Sequence, residues 1–450
     1  MNIFTLENHM THSVPGPVKE ITKCRICGNE NLTPVLNLGE QCLSSVFPAI
    51  DSPNPSISPL DLVLCDGDDS SDICRMLQFK HTANVSEMYG TTYGYRSSTS
   101  RTMRSHLESK IKHLLELVQP KDGDIVLDIG CNDGTVLNLY RNLGLVRVGM
   151  DPSSEKFADN FDPDIQVIYD FFSADRLRSI IGERKCRIIT SIAMFYDLED
   201  PVGFMRQIHS ILAQDGVWGF ELSYMPMMFT NLTYDQVCHE HITYMGLRQI
   251  FWMAERAGIK ILDVSLNDIN GGSFYLIAAR NESPMEPNHH NIKKLLDYEE
   301  PLSTIAPFDR FRNRVLQHRD EVRNFFDLTR AAGKKVYGYG ASTKGNIVLN
   351  FCNITTQDLV AICDLQPQKH GLVTPGTRIP IISQEELRRN QPDYVFVFIW
   401  HFRREVIEDE IEYLEKGGKL VFDLPRLHIV DRDNYKRYLS APFEELAFPL

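Results

Sequence analysis

Four groups of residues have types and spacings suited to chemistry. Cys24-Arg25-Ile26-Cys27 is a knuckle whose tight turn aims two thiolates at one point, and Cys65 and Cys74 follow in the same Cys-, Pro- and Ser-rich stretch. Four soft ligands closing a tetrahedral shell suit Zn²⁺ in a structural role, with no position left for water. Eight residues separate Cys65 from Cys74, so the acidic insert Asp66 to Ile73 must loop out. The alternative is an empty site with Cys65 or Cys74 as an ordinary buried thiol, Cys42 being the nearby competitor. The second group is Asp128-Ile129-Gly130-Cys131-Asn132-Asp133-Gly134, where Gly130 and Gly134 let the backbone approach a ligand at a strand end. It has no third glycine and no lysine, which argues against a dinucleotide cradle and a P-loop. Asp151 ends the next strand, where a carboxylate can accept both ribose hydroxyls. The third is His239-Glu240-His241, a potential acid–base cluster whose bland alternative is two surface histidines. The fourth is the turn Gly338-Tyr339-Gly340 leading into Ser342, Thr343 and Lys344. Backbone donors, hydroxyls and an ammonium there could bind a diphosphate, unless the turn merely packs.

The elements that must position these groups are short apolar strands alternating with amphipathic helices. Ile125 to Ile129, Val146 to Met150, Ile165 to Tyr169, Arg187 to Ile192 and Val217 to Leu222 form one set, with helical patterns such as Phe204 to Leu212 between them. Lys335 to Gly340, Val360 to Cys363, Tyr394 to Ile399 and Lys419 to Phe422 form a second. Both predict parallel sheets covered by helices, an α/β architecture. The divisions expected are a loose tail over 1–20, a metal-held unit over 21–85 and a nucleotide-fold unit over 86–283. A connecting helix over 284–330, a second Rossmann-like unit over 331–430 and a docked tail over 431–450 complete the chain. The cysteine-rich stretch has little apolar sequence of its own, so a metal is expected to hold it.

Composition narrows the class further. Among 450 residues, 43% are apolar and 24% charged, as in globular chains, and 60 acidic against 47 basic residues give a net charge of −13. So acidic a surface, without a basic stripe, makes nucleic acid an unexpected partner. The longest strongly apolar run, Tyr394 to Trp400, falls far short of the ~20 residues of a membrane helix. The opening residues lack a secretion signal, so a cytoplasmic protein with reduced thiols is expected.

The glycine loop, the acidic strand end and the strand order resemble a class I S-adenosylmethionine-dependent methyltransferase. From Cys24 to Val430 the chain resembles one family, the sugar C-methyltransferases of deoxysugar biosynthesis. The carriers are the two cysteine pairs, Tyr93-Gly94-Tyr95-Arg96-Ser97-Ser98, the Gly130–Gly134 loop, His239-Glu240-His241 and Gly271-Gly272-Ser273. Gly338-Tyr339-Gly340-Ala341-Ser342-Thr343-Lys344 and Thr374-Pro375-Gly376 follow. The resemblance implies a small N-terminal zinc-binding domain, a central methyltransferase domain and a C-terminal Rossmann-like domain that contacts a sugar nucleotide and holds no NAD.

It also implies methyl transfer to C3 of a nucleotide-diphosphate-linked 4-keto-6-deoxysugar by way of an enolate, in a monomeric enzyme without a membrane. His241 is then the base, and Glu240 orients an imidazole or holds a sugar hydroxyl. Tyr95 lies on a segment that in the family closes over cofactor and substrate. Asp128, Gly130, Cys131, Asn132, Gly134 and Asp151 face S-adenosylmethionine; Asn270, Gly338, Gly340, Ser342, Thr343 and Lys344 face the substrate. This chain departs from the family by carrying Cys238 where members have tyrosine, and Asn270 where they have histidine. A thiol is a weak donor and an amide does not titrate near neutrality. Transfer to oxygen or nitrogen of a nucleotide sugar therefore stays open, as does a non-catalytic binding scaffold.

Overall fold

A computed structural model of the chain describes residues 18–67, 72–83, 85–88 and 96–450. Tyr95, and the tip of the insert at 68–71, lie outside the described residues. The central unit is a seven-stranded sheet in the order Ile259–Asn267, Ser273–Arg280, Leu212–Ser223, Cys186–Ile192, Ile125–Ile129, Val146–Met150, Gln166–Ile168. All neighbours are parallel except Ser273–Arg280, which runs antiparallel to both of its neighbours. Every residue of Ile125–Ile129 is buried, as a strand covered on both faces requires. The strand order reverses beside it, opening a crevice beyond the carboxyl ends of Ile125–Ile129 and Cys186–Ile192. That crevice is where an α/β sheet binds its ligand.

The C-terminal unit repeats the plan with six strands, Ile381–Ile382, Ile362–Cys363, Val336–Tyr339, Tyr394–Val397, Leu420–Phe422 and His428–Val430. Only the last pairs antiparallel. Its own reversal lies beside Val336–Tyr339, so Gly340 and Ser342 stand at the matching crevice.

The N-terminal unit is an antiparallel sheet of Leu32–Cys42, Ile57–Cys65 and Leu77–Phe79, completed by Thr243–Tyr244 from the central unit. Its apolar face is not self-sufficient. Leu36, Leu38, Leu60, Leu62 and Leu64 share one buried cluster with Phe311 and Ile347 of the C-terminal half. Cys24, Cys65, Cys74 and Met76 instead pack with the core of the central sheet. One small unit thus bridges both large ones, by strand pairing, apolar contact and its cysteine cluster.

Two boundaries differ from the sequence expectation. Lys19–Glu20, expected in the loose tail, pair with His81–Thr82. The single connecting helix expected over 284–330 is two helices, His289–Tyr298 and Ala306–Ala331, with a tight turn at Glu300–Ser303 between them. Pro301 and Pro307 explain the break: each removes a backbone donor and disfavours helical backbone in the residue before it. Near the C-terminal end, the Phe448 amide donates to the Thr230 carbonyl at 2.7 Å, and Arg314 lies over the Phe448 ring.

Candidate active site and metal centre

Cys24, Cys27, Cys65 and Cys74 bring all four sulfurs within 4.8 Å of one another. Cys24 Sγ lies 3.4 Å from Cys74 Sγ, and Cys27 Sγ lies 3.5 Å from Cys65 Sγ. A ZnS₄ tetrahedron with bonds of about 2.3 Å needs sulfurs about 3.8 Å apart, close to the spacing of these four, so the donor set fits zinc. The surrounding donors favour thiolates. Gln78 Nε2 donates to Cys24 Sγ at 3.1 Å, and Asn29 Nδ2 to Cys65 Sγ at 3.4 Å. Cys42 is outside the cluster, so the competitor drops out.

The glycine loop folds as a cofactor turn. Gly130, Asn132 and Gly134 all have left-handed backbone, with φ of 76°, 46° and 80°. A side chain at Gly134 would also place its Cβ 2.8 Å from the Phe161 ring, so the position needs glycine twice over. Asp151 Oδ2 accepts from the Asn132 amide at 2.9 Å and Oδ1 from the Ser153 amide at 2.6 Å. Each oxygen keeps a free lone pair for a ribose hydroxyl, so the loop fits S-adenosylmethionine. Two loop side chains turn away from any ligand. The Asp128 carboxyl accepts from Thr190 Oγ1 at 2.6 Å, and burial pushes its pKa up to about 7. The Cys131 thiol is buried against Ser154. Asp128 and Cys131 therefore shape the loop, and Cys131 offers only its backbone.

Ser97 and Ser98 clasp the same loop from outside. Their amides donate to Asn132 Oδ1 at 3.1 Å and to Asp133 Oδ2 at 3.0 Å. Ala193, at the end of Cys186–Ile192, is held at φ 55°, a strained setting for a residue with a Cβ, and it lines the crevice.

Between the central and C-terminal units lies one cavity of about 240 Å³. Its walls include Arg96, Ser97 and Ala193 beside the cofactor turn, and Cys238, Glu240, His241 and Asn270 from the central unit. Gly340, Ser342, Thr343 and Lys344 come from the C-terminal turn, and Phe47 from the N-terminal unit. Of the residues singled out for catalysis and substrate, Glu240, His241, Asn270, Gly340, Ser342, Thr343 and Lys344 thus meet in one place, while the cofactor-turn residues and Asp151 are not among its walls. Nor is Gly338: it is inside its strand, where a Cβ would meet Ile362 at 2.7 Å. His239 is likewise removed, hydrogen-bonded to the Ser58 carbonyl at 3.2 Å.

His241 is held in one tautomer. Its Nδ1 donates to the Gln236 carbonyl at 3.1 Å, which leaves the lone pair on Nε2, and its ring packs on Tyr196 at 4.1 Å. Burial, helped by the Lys344 charge, lowers its pKa to about 3, so the imidazole is neutral. Glu240 is 5% exposed, with neither oxygen in a hydrogen bond, and burial raises its pKa. Lys344 Nζ donates to the Asn270 carbonyl at 2.7 Å, and burial lowers its pKa. Ser342 Oγ caps the helix Thr343–Phe351 by accepting from the Gly345 amide at 3.0 Å.

Sequence reasoning missed several wall residues. Lys369 bridges the Ala341 carbonyl at 2.7 Å and Asp364 Oδ2 at 3.3 Å beneath Phe47. Glu405 also faces the cavity. Lys369 had a faint signal, five residues after a strand-ending aspartate. Phe47, Tyr196 and Glu405 had none, because folding alone brings them there.

Comparison with known proteins agrees with this geometry. Three family models match in series: a zinc binding domain over residues 24–89, a methyltransferase domain over 102–264 and a C-methyltransferase C-terminal domain over 268–425. C-methyltransferase NovU of Streptomyces niveus is 27% identical over 421 residues, covering 93% of this chain and 99% of its own. Among solved structures, magnesium protoporphyrin IX methyltransferase (ChlM) of Synechocystis PCC 6803 with bound SAH is 13% identical. It covers 42% of this chain and 90% of its own with a TM-score of 0.32. The CcbJ methyltransferase of Streptomyces caelestis, also 13% identical, covers 39% and 89% with a TM-score of 0.30. Both are too distant to add weight. The three domain matches in order, the full-length similarity, the four-thiol centre and the cofactor turn lead to one assignment: the chain is an S-adenosylmethionine-dependent methyltransferase that joins a zinc-binding domain, a methyltransferase domain and a C-methyltransferase C-terminal domain.

Proposed function

We propose that this methyltransferase acts on a nucleotide-diphosphate-linked 4-keto-6-deoxysugar and methylates the carbon beside the ketone, C3. The observation that carries the reading is the single cavity shared by the His241 imidazole, the cofactor-turn clasp and the Lys344 turn. A diphosphate suits that turn: Lys344 is a half-buried cation whose ammonium hydrogen-bonds a carbonyl, and Ser342 and Thr343 open a helix beside it. The sugar then extends toward His241 and Glu240.

S-adenosylmethionine, held by the Gly130–Gly134 turn and Asp151, supplies an electrophilic methyl group. The chain's own residues make the carbon nucleophilic. His241 Nε2 takes the C3 proton, since Nδ1 is already committed to Gln236. The diphosphate charge beside Lys344 offsets the cation that weakens His241 as a base, so substrate binding itself strengthens the proton acceptor. The buried walls exclude water from the enolate. Transfer to a sugar oxygen or nitrogen would need no ketone and no enolate.

Incubating the zinc-loaded protein with S-adenosylmethionine and a panel of nucleotide-linked 4-keto-6-deoxysugars tests this. The expected product carries one added methyl on C3 by NMR. Methyl on oxygen or nitrogen, or methylation of sugars lacking the ketone, would overturn the carbon assignment.

A further inference from the structure

Making an enolate takes two groups: one to accept the proton and one to steady the oxygen that gains the charge. His241 answers the first need. Cys238 and Asn270 stand at the family's tyrosine and histidine positions, and neither supplies an acidic O–H or N–H: Cys238 offers a buried thiol, a weak donor, and Asn270 a neutral amide.

We propose that Glu240 is a neutral carboxylic acid that donates its O–H to the enolate oxygen. This rests on the reading of the substrate as a 4-keto sugar. Glu240 lines the same cavity as His241, is 5% exposed, and has neither oxygen in a hydrogen bond. The Ser45 hydroxyl, the Cys238 thiol and the backbone favour its charged form, but all are neutral and burial outweighs them. The Ser45 hydroxyl lies beside it, and the Cys238 thiol and Tyr244 phenol share its field, with Asp197 acting on both of these. Lys344 acts on Cys238 and His241, and no cation is paired with Glu240 among the described residues. An ionised carboxylate there would be buried without a partner, so the proton stays on. Burial moves His241 the other way, toward the free base. Two neighbouring groups whose environments push their proton affinities apart make an acid and a base.

The step balances without a further reactant. The C3–H bond breaks and its proton bonds to His241 Nε2. The electron pair enters the bond between C3 and the carbonyl carbon, and the carbonyl π pair moves to oxygen. That oxygen accepts a hydrogen bond from Glu240, whose proton is not transferred.

Two measurements on the full zinc-loaded chain test the role. The infrared difference spectrum between wild type and E240Q at neutral pH should contain a carboxylic-acid carbonyl band; a carboxylate band in its place overturns the proposal. Second, thymidine-diphosphate-4-keto-6-deoxyglucose is incubated in deuterium oxide with S-adenosylhomocysteine, and C3 exchange is followed by NMR. Wild-type exchange should fall as pH rises through the Glu240 pKa, because the acid form is the active one. E240Q, whose amide still donates, should lose no more than about tenfold near neutrality and lack that alkaline fall, while E240A loses about 10²–10³-fold. E240Q as inactive as E240A at every pH, with unchanged cofactor affinity, would make Glu240 an acceptor or base and remove the donor role. Absence of wild-type exchange would instead remove the enolate itself, and with it the substrate reading, whatever the infrared band shows.

Discussion

Asp151 does two things at once. Its oxygens fix the Asn132 and Ser153 amides, and each keeps a lone pair to offer a ribose hydroxyl. Asp151→Ala should therefore weaken S-adenosylmethionine binding, each charge-assisted hydrogen bond being worth roughly 1.5–3 kcal/mol. Calorimetry returning wild-type affinity would show that the ribose lies elsewhere. His241 is tested in a different way. His241→Asn should leave cofactor affinity within a few-fold and lower turnover by about 10²–10⁴, the usual worth of a general base. A base works unprotonated, so its activity is lost only as pH falls through its pKa. With that pKa at about 3 in the free protein, kcat/KM should show no acid-side loss from His241 between about pH 5 and 8. An acid limb near neutrality that persists in His241→Asn would assign the proton to another group.

At the scale of elements, the helix Arg101–Val118 shows how the units are tied. It buries Met103, Leu107, Ile111, Leu114 and Val118, one residue per turn, against the central sheet. Its start is capped from another unit. Glu405 Oε2 accepts from Thr102 Oγ1 at 2.9 Å and Ser100 Oγ at 3.1 Å, and Oε1 from the Arg101 amide at 3.4 Å. A carboxylate at a helix N-terminus satisfies otherwise unpaired amides and the helix dipole. The residues just before, Ser97 and Ser98, are those that clasp the cofactor turn. Glu405→Ala should lower unfolding stability by about 0.5–2 kcal/mol and loosen the clasp. A measurable fall in S-adenosylmethionine affinity alongside the lower Tm is the expected result, and an unchanged affinity would uncouple the cap from the clasp.

On the scale of the whole molecule, the zinc unit is the joint between two Rossmann-like units. Its sheet completes an apolar cluster of the C-terminal half, while its cysteines pack on the central core. Purified protein should hold one zinc per chain by elemental analysis. Cys27→Ser, or strong chelation, should lower thermal stability and raise proteolysis around residues 24–83, because metal binding there is folding energy. S-adenosylmethionine affinity should survive, since the glycine turn belongs to the central sheet. Loss of both together would mean that the two cores unfold as one.

Composition and pattern alone pointed to the α/β class, to the four cysteines that cluster, and to a glycine turn followed by an acidic strand end. These are local facts: a glycine that must be left-handed, a strand buried on both faces, a knuckle of two thiols. Helix breaks were less legible, since the charged pattern around Pro301 and Pro307 continued on either side of the turn that splits it. The roles of Asp128 and Gly338 were not legible either. Position beside a motif does not say what surrounds a residue: the Asp128 carboxyl turns inward to Thr190, and Gly338 sits inside its strand with no room for a Cβ. Only the tertiary structure decided what meets across the cavity. Phe47, Tyr196, Glu240, Lys344 and Glu405 are far apart in the chain and converge because three units share cores and a strand. Burial then did what sequence could not: the same low-polarity wall drives the proton off His241 and raises the affinity of Glu240 for one. Proton affinity depends on surroundings, and the surroundings come from the fold.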